Sequence, residues 1–360
     1  MKLNLFSSTP DALMAVDISS ASIKLVELGK TRGGYQLKSM AVAPLPRDVI
    51  VENEIIDSTT VTQTLKDVVE IAGTSTKNVA FAVSGNALII KTVTMPMMTE
   101  LELEMQIEFE ADQHVPYDME DVYLDFQILG PSEDGIEMDV VLVACKRDVI
   151  EAYQQVIHEA GLTVKCVDCA GFAVENAAGI LADERHGPSA DADAEQPDVC
   201  VHALANIGAN FINVNIMHGD HMAFVRDQFF GGNQLTQEIQ EAHGVSFQVA
   251  EQMKLENFSG VDEAAVEHYF TALADELVRT LDFYAVKHAD VPVQKVFLSG
   301  GGALVPGTVE QIEQRLGIET KLLNPFSEIK AAEKKFDADY IQRVGPMMMV
   351  PVGLALRRFD

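Results

Sequence analysis

Apolar and polar positions alternate, cluster and space themselves along the 360-residue chain so that strand-like and helix-like stretches follow one another in an α/β order. Residues 13–91 read as strands around a turn-rich hairpin, then a helix from about Asp57 to Ala72, then the buried strand Val79–Val83. Within this stretch, Asp17-Ile18-Ser19-Ser20-Ala21-Ser22-Ile23-Lys24-Leu25 opens on a polar residue, turns through small residues and resumes apolar alternation at Ile23 and Leu25. The layout returns 189 positions later in Asn206-Ile207-Gly208-Ala209-Asn210-Phe211-Ile212-Asn213-Val214. Each segment predicts strand, tight turn, strand.

Between them, Leu101 to Phe109 alternates perfectly and by period alone is a strand. Local chemistry predicts a helix instead. Thr99 with Glu102 makes a capping box, Met98 is placed to staple Leu103, strong helix formers follow, and Pro116 stops them. Strands at Val122–Leu129 and Met138–Ala144 and a helix from about Arg147 to Ala160 come next. Ala182–Asp198, rich in Ala, Asp, Pro and Gly without periodicity, reads as a flexible surface loop between the halves. A helix starts near Asn233, and the strand Lys295–Leu298 leads into Ser299-Gly300-Gly301-Gly302 and a further helix.

Charge narrows the function. A net charge of −29 excludes nucleic acid and an anionic membrane surface as direct partners and favours a basic one. It also repels ATP at long range, so a nucleotide site must act locally and needs Mg²⁺. From Thr92 to Cys145 there are 14 Asp and Glu and no Lys or Arg, which suggests an inserted subdomain; a solvated acidic face reads the same block equally well. No apolar run reaches membrane-spanning length and Met1–Phe6 leads into polar residues, so a cytoplasmic protein without direct membrane insertion is expected. Cys145, Cys166, Cys169 and Cys200 read as reduced structural thiols, His218 and His221 as exposed turn residues, and the methionines at 95–98 and 347–349 as core filling.

The hairpins carry the candidate chemistry. Turn N–H groups and hydroxyls form nests for anions, and two facing turns would grip a nucleotide from both sides. Ser19, Ser20 and Ser22 are candidate phosphate donors, Lys24 a point charge for the β- and γ-phosphates, and Asp17 a Mg²⁺ holder acting through water. Gly208, Ala209 and Asn210 form the second nest. Gly300, Gly301 and Gly302 form a third turn before a helix N-terminus. Glu251 and Lys254, three apart on a helix, are placed to hold ribose hydroxyls and stack on adenine, or to form a surface ion pair.

Taken in order, the Asp17–Lys24 hairpin, Asp168, Asn206–Asn210, Gly231-Gly232-Asn233-Gln234-Leu235-Thr236, Glu251…Lys254 and Gly300–Gly307 resemble the actin-like ATPase superfamily. Glu110-Ala111, Val115-Pro116-Tyr117, Val122–Phe126, Leu281-Asp282-Phe283-Tyr284 and Gly353–Arg357 make the resemblance most specific to the PilM family of type IV pilus assembly proteins, related to FtsA. The resemblance implies an α/β, actin-like ATPase fold with two lobes, each a mixed β-sheet with helices, plus a small inserted α+β subdomain. Residues 1–91, completed by 166–185 and 345–360, would form the first lobe and 92–165 the insertion. Residues 198–344 would form the second lobe, with 245–275 its smaller adenosine-side subdomain, and Gly232 would be a further cofactor-binding residue. ATP with Mg²⁺ is the implied ligand, and a PilN-like inner-membrane protein the implied partner, through a short N-terminal peptide in a groove of the insertion. Pilus motor ATPases are further implied partners.

The residues depart from the superfamily at Asn206, where an aspartate is usual. A missing electrostatic group of this kind typically costs about 10²–10³ in rate, so ATP binding with weak or absent hydrolysis is expected. Asp168 remains as a water-positioning group or as a structural residue at a domain connection. Two rivals stay open: a small-molecule phosphotransferase, which needs a carboxylate base beside a hydroxylated pocket, and an FtsA-like filament, which uses a C-terminal amphipathic helix on a linker.

Overall fold

Each half of the chain builds its sheet in the same order. A computed structural model describes residues 12–358 apart from 133–134, 182–199, 220, 257, 259, 287, 290 and 333–334. The loop expected over Ala182–Asp198 lies outside the described residues, as does Asp220. In the first half, β1 (Leu13–Ile18), β2 (Ser22–Thr31) and β3 (Gly34–Pro44) form an antiparallel meander, followed by the short ribbon β4 (Ile50–Val51) and β5 (Glu54–Ile55). Helix α1 (Ser58–Ala72) crosses to β6 (Asn78–Val83), which lies parallel to β1. The Asp57 side chain accepts from Thr60 N–H and starts α1, and Gly73, left-handed at φ 61°, ends it.

A three-stranded antiparallel sheet follows, made of β7 (Leu88–Pro96), β8 (Val122–Pro131) and β9 (Glu137–Lys146) in the order β7-β9-β8, with α2 (Glu100–Asp112) packed on it. The alternating segment is helical. Thr99 and Glu102 form the reciprocal capping box, and Leu103, Ile107 and Ala111 face the sheet. Helix α3 (Arg147–Glu159), which the boundary 92–165 groups with the insertion, buries Val149, Ile150, Tyr153, Val156 and Ile157 in the core under the first sheet. Strand β10 (Thr163–Cys169) completes that sheet as β10-β6-β1-β2-β3, and α4 (Ala170–Gly179) leaves toward the second half.

The second half repeats the scheme. Strands β11 (Val201–Ile207), β12 (Ile212–His218) and β13 (His221–Gln228) form a meander. Helices α5 (Gly232–His243), α6 (Phe247–Leu255) and α7 (Glu263–Ala285) precede β14 (Lys295–Ser299), and α8 (Thr308–Leu316) precedes β15 (Glu319–Leu322). The order β13-β12-β11-β14-β15 mirrors the first sheet strand for strand. Helices α5 to α8 share one core on the outer face of this sheet.

The chain closes with α9 (Ala338–Val344) and α10 (Met349–Leu356). Helix α10 packs with α4 in a core that reaches both sheets, through Ala15, Val26 and Leu28 on one side and Leu204, Met217 and Phe297 on the other. Gly353 makes that packing possible, because a Cβ there would collide with the Ala173 carbonyl group. Met348 and Met349 are fully buried in this core, whereas Met97 is exposed. None of the four cysteines is in a disulfide, and burial pushes the Cys145 thiol up to about 11. His218, expected at an exposed tip, is instead half-buried and packs edge-on against Tyr284, with which its Nε2 makes a short contact.

Candidate functional site

The duplicated sheets set the two small-residue turns at equivalent corners, β1–β2 and β11–β12. In the first, antiparallel register places Asp17 opposite Lys24, and Lys24 Nζ donates to Asp17 Oδ2 at 2.7 Å. The side chains are only 10% and 15% exposed, so this pair is a charged group held under the turn. Ser19 closes the turn on itself, with its N–H and Oγ both donating to the Ser22 carbonyl at 3.1 and 3.0 Å. Ser22 is buried. Ser20 Oγ accepts from Asn210 Nδ2 at 2.9 Å, so the two turns touch directly across the lobes.

The second turn is sealed from behind. Gly208 N–H donates to the Phe211 carbonyl, and at the start of α5 the N–H groups of Gly232 and Asn233 donate to Gly208 O and Ala209 O at 3.0 and 2.8 Å. Asn233 Nδ2 also donates to Asn210 Oδ1 at 2.8 Å. The third turn packs on the same corner: Gly300, at φ +88°, lies so close that a Cβ would strike the Ile207 carbonyl, and a Cβ on Gly302 would strike the Ile207 side chain. Gly301 differs, because nothing lies near its Cβ position and its backbone is exposed.

Lys254, 5% exposed, donates to Glu251 Oε2 at 2.6 Å, Thr236 Oγ1 at 2.8 Å and Gly232 O at 3.2 Å. Burial holds its ammonium below the usual lysine range, and Glu251 opposes that shift. Gly232 in turn abuts Gly302. The second-lobe positions predicted from sequence, Asn206 to Asn210, Gly232, Glu251, Lys254 and Gly300 to Gly302, are therefore gathered around one corner, and Ser20 joins the first lobe to it. Asp168 lies near the end of β10, two strands from β1, and its carboxylate has partners of its own. Its Oδ2 and Oδ1 accept from Arg357 Nε and Nη2 at 2.7 and 3.2 Å, and Oδ1 also accepts from Cys169 N–H at 2.8 Å.

A polar seam behind the second turn was not read from the sequence. Asn206 lies opposite Ser299 and Asn213, whose register partner on the far strand is Asp227. Ser299 Oγ donates to Asn206 Oδ1 at 3.2 Å, and Asn213 Nδ2 donates to Asp227 Oδ1 at 2.5 Å. Asp227 Oδ2 accepts from Gly85 N–H of the first lobe at 2.7 Å. Burial raises the Asp227 pKa above the ordinary carboxylate range, with these two hydrogen bonds opposing the shift. The signal was the repeat itself, since the offset of 189 maps Lys24 onto Asn213.

Among the described residues no helix is long and apolar enough to cross a membrane. A family model described as type IV pilus assembly protein PilM matches residues 15–359. The chain is similar to a solved chain of a PilM–PilN type IV pilus biogenesis complex, 24% identical, with a TM-score of 0.85 over 98% of this chain and 99% of that one. It is also similar to the ethanolamine utilization protein EutJ from Carboxydothermus hydrogenoformans, at 15% identity and a TM-score of 0.56, over 95% of this chain and 88% of that one. Two equivalent meander sheets joined by helices, with a small-residue turn at the facing corner of each, are the actin-like ATPase architecture, and the chain belongs to the PilM family of type IV pilus assembly proteins.

Proposed function

We propose that the chain is a nucleotide-binding adaptor of type IV pilus assembly, working at the cytoplasmic side of the inner membrane through protein partners. The observation that carries the nucleotide part is the direct meeting of two equivalent turns, Ser20 to Asn210, with the Asp17–Lys24 pair beneath one and the open Gly301 backbone beside the other. An ATP polyphosphate fits this chemistry: Lys24 supplies positive charge, the turn N–H groups supply donors, and the 36%-exposed Glu251 carboxylate is available to a ribose hydroxyl. The Asp17 carboxylate suits Mg²⁺, which is commonly held by one or two carboxylates and the substrate phosphates; the ion would neutralise charge on the polyphosphate.

Asn206 occupies the position in the second half equivalent to that of Asp17 in the first, and as a neutral amide bonded to Ser299 it cannot act as a carboxylate base. Slow or absent hydrolysis follows. The partner reading rests on family membership and on the charge of the insertion: a PilN-like peptide with a basic residue beside a transmembrane helix complements a segment without Lys or Arg. Calorimetric titration of ATP with and without Mg²⁺, together with phosphate release, tests the nucleotide part. Mg²⁺-dependent binding with little release is expected, and Lys24→Glu should abolish binding. Unchanged affinity in that variant would place ATP elsewhere.

A further inference from the structure

The alternation of Leu101 to Phe109 hides two apolar stripes on one helix. Leu103, Ile107 and Ala111 are buried against the small sheet, while Leu101, Met105 and Phe109, also spaced by four, are 68%, 73% and 73% exposed on the opposite side of α2. At 1.5 Å per residue the outer ridge runs about 12 Å, and such a contiguous run of large exposed side chains marks an interaction surface. The fold does not need this ridge, since the inner stripe and the Thr99–Glu102 capping box already hold the helix. On the helical wheel Glu104, Glu108 and Asp112 border the ridge on one side and Glu102 on the other, all of them exposed.

We propose that the outer face of α2 docks a cationic amphipathic helix of a partner protein, its apolar stripe on Leu101, Met105 and Phe109 and its lysines or arginines on the flanking carboxylates. Charge complementarity selects this occupant. A second copy meeting the same face would oppose like charges, and an anionic bilayer would be repelled by the same glutamates. The nearest basic residues in sequence, Lys91 and Lys146, bracket the whole block and leave it uniformly acidic. The surface stands independently of the nucleotide site.

The test uses the full chain and a synthetic 18-residue helix of leucine and lysine in amphipathic order, with a scrambled peptide of identical composition as control. Fluorescence titration should show binding of the amphipathic peptide that weakens at least tenfold in Met105→Ser/Phe109→Ser and also in Leu101→Ser, with the scrambled peptide weak throughout. Thermal melts confirm that these variants of exposed residues stay folded. Equal affinity for wild type and both variants overturns the proposal. So does a concentration-dependent dimer of the wild type that the variants abolish, because the face would then belong to a second copy.

Discussion

Asp17 and Asn206 occupy equivalent positions in the two halves, and one carboxylate exchanged for one amide separates their chemistry. Asp17 holds Lys24 in an ion pair, whereas Asn206 accepts a hydroxyl hydrogen bond from Ser299. Because Asn206→Asp keeps the acceptor that Ser299 needs, it should raise phosphate release by about 10²–10³ with ATP affinity little changed. No increase would remove Asn206 as the cause of slow turnover. Asp227 gives a pH signature. Its folded pKa is raised, so its contribution to stability is full below the ordinary carboxylate range and is lost as pH rises through the folded value. The melting temperature of Asp227→Asn relative to wild type should therefore climb as pH is raised from about 4 toward neutrality; a flat difference would contradict the burial argument. Lys24 and Asp17 were legible because a hairpin of known length pairs them seven apart. Asn213 and Asp227 were not, since a polar residue alternating with apolar ones reads as solvent-facing, whereas the fold sets Gly171 against the Asn213 side chain and the Gly85 N–H on the Asp227 carboxylate.

At the level of elements, α2 shows why period alone misleads. Two stripes spaced by four on opposite faces cancel any one-sided helical pattern and leave a perfect strand-like alternation, so the capping box had to identify the helix. Thr99→Ala should cost about 1 kcal/mol, read by denaturant unfolding. Helices α4 and α10 are the opposite case. Helix α10 is apolar throughout and α4 is interrupted only by Glu175 and Asn176, and their burial between the sheets follows from the duplicated topology rather than from a local pattern. Gly353→Ala should lower stability by about 3 kcal/mol or prevent folding, since the added methyl meets main chain and cannot be relieved by a rotamer change. A melting temperature within a degree or two of wild type would show that the helices can separate. The meanders and crossing helices were readable because turns, caps and strand runs are local; α3's place under the first sheet was not, because it depends on β10 returning to β6.

Over the whole molecule, the lobes are tied at several separate points: Ser20 to Asn210, Gly85 to Asp227, and Arg47 stacked 4.6 Å from the Phe247 ring centre. The Asp168–Arg357 pair fastens the C-terminal segment to the first sheet near the core shared by both lobes. Arg357→Ala leaves a nearly buried carboxylate unpaired and should destabilise the chain by about 3 kcal/mol in denaturant unfolding, without the collapse of ATP affinity expected for Lys24→Glu. A loss of ATP affinity equal to that of Lys24→Glu would instead put Asp168 in the nucleotide site. The central claim is that both turns grip one nucleotide, and amide hydrogen exchange of the full chain with and without Mg²⁺ and ATP reads it most directly. Added protection at residues 19–22, 208–210 and 300–302 together is the expected result; protection confined to one lobe, or none, would contradict a shared grip.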